Sequence, residues 1–373
     1  MKQRWLSLWV ALMLMMISSQ TLARELTQKQ VEKLQSTVMN SNLPLQKRIR
    51  ALTKIHADQL VGGKIHRSFC VWDPLGQNGP IYATVDDQKL RSLHYGLALD
   101  VRAYQDENQL ISDLKSGECQ AALMRGNRAH EFNRFVATLD AAGAVPDVEH
   151  FRILSQVIAS SKMAKKMEQG DYVVAGVAYL GDSYFVRQSR SRSGFSELQQ
   201  QRLATVDQEP TLKAIVEAIN AKARVLSANE AAKQFVSGEL DAILVPAVIY
   251  HAFIAGQLNA PMQIMNMPQS LSTMQLIARR DAFPTGLAQM LREDFLFKFD
   301  FYVKRVKAEE RNVLAEYWQH IPVTEQKRRA KQLLQLRLKL RDEGLYDPTM
   351  LRIMRKVRCK LDPTNTECID VVE

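Results

Sequence analysis

Apolar and polar positions along the chain fall into two rhythms, strand-like alternation and helix-like spacing, and one short succession of them occurs twice. The first copy reads Leu99-Asp-Val-Arg-Ala-Tyr, then Glu107-Asn-Gln-Leu-Ile-Ser-Asp-Leu-Lys-Ser, then Gly117-Glu-Cys-Gln-Ala-Ala-Leu-Met. The second reads Ala223-Arg-Val-Leu-Ser-Ala, then Glu230-Ala-Ala-Lys-Gln-Phe-Val-Ser, then Gly238-Glu-Leu-Asp-Ala-Ile-Leu-Val. Each predicts a strand, a helix whose acidic start complements the helix dipole, a Ser-Gly-Glu stop with glycine free to take positive φ, and a second strand. Two such units predict matching cores of two α/β lobes. A two-lobed α/β protein offers one natural place for a ligand, the cleft between the lobes.

The remaining pattern fills in around these units. Two amphipathic helices are expected within residues 24–63, split at Asn42-Leu-Pro44 and closed by Gly62-Gly63. Lobe one, residues 64–170, starts with a strand from Arg67 to Trp72 and a helix near Asp87 to Tyr95, and closes with a helix from Val157 to Glu168. Lobe two, residues 171–272, opens with two apolar segments flanking Leu180-Gly181-Asp182 and continues with a strand from Arg202 to Val206 and a helix from Thr211 to Asn220. Residues 273–373 are expected to return as a strand from Thr273 to Ala278 and then to be helical from Thr285 to Arg358.

The first 23 residues add a compartment. A basic start at Lys2 and Arg4, an apolar run from Trp5 to Ile17 and a polar end at Thr21-Leu22-Ala23 read as a cleaved secretory signal peptide, and the apolar run is shorter than the roughly 20 residues a spanning helix needs. An even set of four cysteines without a C-x-x-C pair fits export. Position favours Cys70 with Cys119 and Cys359 with Cys368, contributing about 4 and about 3 kcal/mol in the chain-entropy view. The chain carries a formal charge of +10, and 16 Lys and Arg against 7 Asp and Glu between Tyr302 and Lys360 place the basic excess in the C-terminal helices. A solvated helix face or an acidic membrane partner accounts for that excess better than nucleic acid does.

No nucleophile elbow, zinc-protease helix, phosphate loop or dinucleotide fingerprint occurs, so neither an enzyme nor a cofactor or metal is expected. Binding has better support, since open α/β sheets bind at the carboxyl ends of their strands. There the sequence places Trp72 and Asp73, Tyr104, and Arg125 and Arg128 in lobe one, and Asp182 and Tyr184, Gln208 and Glu209, and Pro246 in lobe two. Trp72 and Tyr184 are candidates to sandwich an apolar body, and Arg125 or Arg128 to grip an anion as a two-point fork. The plainer alternatives are that Trp72 caps the sheet, Asp73 forms the turn before Pro74, and either arginine pairs with Glu131.

At Cys70-Val-Trp-Asp-Pro, Ala121-Ala-Leu-Met-Arg-Gly-Asn-Arg, Phe132-Asn-Arg-Phe, Leu139-Asp-Ala-Ala-Gly-Ala and Val357-Arg-Cys-Lys-Leu-Asp-Pro, the chain resembles a family of exported bacterial solute-binding proteins. The resemblance spans nearly all of the mature chain. It implies a type II periplasmic binding fold with additional N- and C-terminal helices, distantly like the binding subunits of tripartite ATP-independent (TRAP) transporters. It also implies a periplasmic protein that passes a small organic ligand to inner-membrane transporter subunits; the rival is a non-catalytic accessory protein that docks a membrane complex through its basic C-terminal helices. TRAP binding subunits carry Leu-x-Gly-x-Lys-x-Arg at the entrance to lobe two, whose arginine grips a carboxylate. Here Leu198-Gln-Gln-Gln-Arg202-Leu-Ala204 puts Ala204 in that place, so an anionic ligand would need Arg125, Arg128 or Arg187.

Overall fold

The computed structural model describes residues 26–188, 194–206, 208–257 and 262–373, and the expected signal peptide lies outside them. Eight main strands run as β1 Lys64–Trp72, β2 Leu97–Tyr104, β3 Ala121–Arg125, β4 Tyr172–Arg187, β5 Arg202–Val206, β6 Lys222–Leu226, β7 Ala242–Pro246 and β8 Ser270–Arg279. The longer helices are α1 Gln28–Met39, α2 Leu45–Ile55, α3 Pro80–Asp86, α4 Glu107–Ser116, α5 Val148–Ala159, α6 Pro210–Glu217, α7 Ala228–Val236, α8 Ala247–Phe253, α9 Thr285–Phe297, α10 Phe299–Glu310, α11 Val323–Asp342 and α12 Pro348–Leu361.

The two repeated units fold alike. In each, a helix carries the chain over a central strand to a parallel neighbour, giving β2-β1-β3 in lobe one and β6-β5-β7 in lobe two. The local chemistry also matches. Asp106 accepts the Asn108 N–H at the start of α4, a Ser227–Glu230 capping box opens α7, and Gly117 and Gly238 end the two helices at φ of 92° and 80°.

What joins the lobes is the antiparallel pair β4 and β8. β3 pairs with β8 and β7 with β4, so the order β2-β1-β3-β8-β4-β7-β5-β6 forms one twelve-stranded sheet with four short strands added. The stretch expected as two segments around Leu180-Gly181-Asp182 is therefore one strand of 16 residues. Its register with β8 slips between Ser272 and Thr273, opposite Tyr179 and Gly181, and this bulge lies where the strand passes from one lobe into the other.

Other boundaries moved for local reasons. The helix expected from Asp87 to Tyr95 forms as two short pieces, Lys89–Ser92 and Leu93–Tyr95, and α3 precedes it from Pro80, where the Asp73 carboxylate accepts the Ile81 and Tyr82 N–H groups. The helix expected from Val157 to Glu168 is divided: its first residues end α5, which starts at Val148 where Asp147 accepts from the N–H groups of Glu149 and His150, and Ser161–Met167 follows as a 3-10 helix. Gly62 and Gly63 turn a hairpin that pairs Leu60–Val61 with the start of β1. The C-terminal region is not helical throughout: after α10 the chain breaks, and Trp318–Gln319 pairs in parallel with Gln263–Met265 before Pro322 starts α11.

Both disulfides are present, with Cα atoms 5.8 Å apart for Cys70–Cys119 and 5.5 Å for Cys359–Cys368. The basic excess of the C-terminal helices is partly internal. Arg329, Arg337 and Arg358 are fully buried. Glu373 accepts from Arg337 Nε at 2.6 Å and Arg358 Nη2 at 2.5 Å, while Glu367 accepts from both arginines, so two carboxylates compensate two buried guanidiniums. Arg329 instead lies against the Phe195 ring and donates to Gln269 Oε1 at 2.7 Å.

Candidate functional site

The strand ends and helix starts of the two lobes face each other across a cavity of about 320 Å³. Lobe one contributes Trp72 from the end of β1, Arg125 from the end of β3, and Asp140. Lobe two contributes Glu209 before α6, an apolar wall that includes Ala204, Ala231, Ile243 and Val245, and Pro246 at the end of β7. The floor is the crossing pair, with Leu180, Ser183, Ser272 and Thr273 around the bulge.

Charge is arranged in a chain across this cavity. Glu107, at the first turn of α4, accepts Arg125's own N–H at 2.8 Å and its Nε and Nη2 at 2.9 and 2.6 Å. Arg125 Nη2 also lies 2.7 Å from Glu209 Oε1, so one guanidinium links the lobes. Its plane sits 4.7 Å from the Trp72 ring, a cation–π contact. Burial alone would lower the Arg125 pKa, but Glu107 and Glu209 raise it and keep the group charged. Burial pushes the Glu209 pKa up, with Glu107 adding to that and Arg125 and Arg128 opposing it.

Asp140 is the second buried carboxyl. It accepts from Thr273 Oγ1 at 2.8 Å and from the Thr273 N–H at 3.2 Å, and burial pushes its pKa up to about 8. Gly126 makes this geometry possible, since a Cβ there would lie 2.3 Å from both Asp140 Oδ2 and Thr273 Oγ1.

Of the residues singled out from the sequence, Trp72, Arg125, Glu209 and Pro246 line the cavity, and the other six do not. Side chains alternate across a strand, so Ser183 faces the cavity while Asp182 and Tyr184 face away. Asp182 accepts from Tyr179 and lies 3.9 Å from Lys307, and Tyr184 packs edge-on against Trp318, so Tyr184 and Trp72 form no sandwich. Asp73 is fully buried under its turn and α3. Tyr104 donates to Asp113 at 2.6 Å, Arg128 donates to Asn108 Oδ1 at 2.7 Å beneath the cavity, and Gln208 turns the backbone at φ 57°. Glu131 pairs with Lys115, not with an arginine of the cleft. Arg187 is buried among Glu197, Gln263 and Gln319. Sequence reading missed Glu107, Asp140 and Thr273. Glu107 had a local explanation as a helix-start acid, and nothing in the sequence ties Asp140 to a threonine on another strand.

Among the described residues, no group of three or more His, Cys, Asp or Glu side chains could hold a metal ion. The profile of the family described as Solute-binding protein AdeT 1/2 matches residues 88–372. The chain belongs to that family. It is 28% identical over 299 residues to a protein named Probable solute-binding protein AdeT1 from Acinetobacter baumannii, covering 80% of this chain and 98% of that one. It is 22% identical over 229 residues to one named Probable solute-binding protein AdeT2 from the same organism, covering 61% and 95%.

Solved structures extend the AdeT 1/2 fold to a wider group. A TRAP periplasmic solute-binding protein from Desulfovibrio salexigens with bound orotic acid superposes with a TM-score of 0.67 at 10% identity, covering 80% of this chain and 100% of that one. Another from Sulfitobacter sp. NAS-14.1 with bound β-D-galacturonate gives 0.62 at 10% identity, covering 78% and 99%. At these identities the likeness establishes the two-lobed TRAP binding fold, as the sequence led us to expect.

Proposed function

We propose that this AdeT 1/2 family member is a periplasmic, non-catalytic binding protein that captures a small organic molecule between its lobes and presents it to an inner-membrane transporter. The observation that carries this reading is the cavity itself. It lies at the carboxyl ends of both parallel strand sets, its volume suits a small ligand, and its floor is a bulged strand pair about which the lobes can turn. A ligand touching both walls favours the closed arrangement, in which Arg125 reaches from Glu107 to Glu209. The rival reading, a docking scaffold with basic C-terminal helices, is weakened because three of those arginines point inward.

Native mass spectrometry of the protein purified from its own periplasm tests the proposal. The expected result is a retained small molecule that is lost on Trp72→Ala. An empty protein whose melting temperature and radius of gyration stay unchanged across a broad metabolite panel would overturn it.

A further inference from the structure

The cleft's charges bear on which solute it takes. The formal charges of Glu107, Arg125, Arg128 and Glu209 cancel, with Arg125 held by both glutamates and Arg128 donating to Asn108. Among the lining residues the remaining cation is Lys233, exposed on α7. No guanidinium in the cavity is therefore open to an incoming carboxylate.

Lys233 apart, the acids outnumber the bases by one, Asp140, which holds a proton near neutral pH because burial pushes its pKa up to about 8. Asp140 lines the cavity, is 1% exposed, and is held by Thr273 donors; among the described residues no basic side chain pairs with it. Glu209 Oε1 is buried and, although 2.7 Å from Arg125 Nη2, receives no hydrogen bond of workable angle. An unmet buried acceptor is costly, and a donor that brings positive charge both satisfies Glu209 Oε1 and favours release of the Asp140 proton. Around them the cavity is mainly apolar, with Trp72, Ile243, Val245 and Pro246 on its walls.

Resting on the solute-binding reading above, we propose that the cleft selects a protonated amine with an apolar body, its ammonium group directed at Glu209 and Asp140 and its body against the lobe-two wall. The acids bound by the structural neighbours are then the wrong charge for this chain. A carboxylate placed here would meet Glu209 with no free cation to offset it, whereas an ammonium would meet Glu209 Oε1 and, by displacing the Asp140 proton, complete the charge chain from Glu107 to Asp140.

The test is isothermal titration calorimetry of the full mature chain with matched probes. Phenethyl, n-hexyl and 1-naphthylmethyl bodies are each offered as ammonium, alcohol and carboxylate. We expect at least one ammonium to bind tenfold or more tightly than its alcohol and carboxylate partners, and that preference to fall at least tenfold in Glu209→Gln. Asp140→Asn, which leaves Glu209 in place, should weaken it by a smaller factor.

A carboxylate or alcohol that binds as tightly as its ammonium in the wild-type protein overturns the inference, and this comparison needs no variant to fold. So does ammonium binding that survives both substitutions in folded protein. Failure of all nine probes also counts against it, while the solute-binding reading is judged separately by whether the native protein retains any small molecule.

Discussion

Neutralising Asp140 should flatten the dependence of stability on pH. This carboxyl has an ordinary pKa of 3.8 in an unfolded chain and is pushed up to about 8 in the fold, chiefly by burial, with the Thr273 hydrogen bonds opposing and Glu209 adding to the rise. Between about pH 4 and 8 the native state therefore holds a proton that the unfolded state has released. Stability is greatest, so far as this group contributes, below the unfolded value and declines as the pH rises, levelling off above about 8. Each pH unit in that window costs about 1.4 kcal/mol, and the whole gap is on the order of 5 kcal/mol. Asp140→Asn removes the titration but sacrifices an acceptor for Thr273, an offset of about 1–3 kcal/mol that does not vary with pH. Urea unfolding of both proteins at pH 5, 6, 7 and 8 isolates the effect, because every other titrating group is common to the two. The expected result is a wild-type curve that falls relative to the variant by about 1.4 kcal/mol per pH unit. Parallel curves would refute the argument that Asp140 is a buried, unpaired carboxyl.

Three further substitutions probe other parts of the fold. Gly126→Ala drives a methyl group against Asp140 and Thr273, so unfolding free energy should drop by about 1–3 kcal/mol, and a stability equal to wild type would show that the loop yields without cost. Replacing Cys70 and Cys119 together by Ser opens a closed loop of sequence separation 49 and should lower stability by up to about 4 kcal/mol, read by denaturation with and without reductant; wild-type protein under reductant should match the variant. Glu373→Ala leaves Arg337 and Arg358 with Glu367 as their remaining acid partner in a buried setting, so a loss of about 3–5 kcal/mol is expected by urea unfolding. A double variant that also replaces Arg337 with Met should recover part of that loss.

The sequence by itself determined what depends on near neighbours along the chain. The paired strand–helix–strand units, their capping acids and glycine stops, the strand Arg202–Val206 and the division into two α/β lobes all follow from spacing and from interactions within a few residues. Cys359 and Cys368, 9 apart, paired for the same reason, whereas Cys70 and Cys119, 49 apart, were matched through their places on strands of one small sheet.

Tertiary structure decided which strand-end residues make the site, admitting Trp72, Arg125, Glu209 and Pro246 and turning the others away. Whether a residue at a strand end faces the cleft depends on strand parity and on where a bulge falls, and a shift of one residue exchanges Ser183 for Asp182 and Tyr184. The partners of Arg125 come from 18 residues upstream, at Glu107, and from the other lobe, at Glu209, and the donors to Asp140 come from Thr273, 133 residues away. No periodicity encodes such meetings. They arise because the crossing pair β4 and β8 fuses two separately legible lobes into one sheet and brings their buried acids into a common, weakly solvated cavity, where long-range charge outweighs local preference.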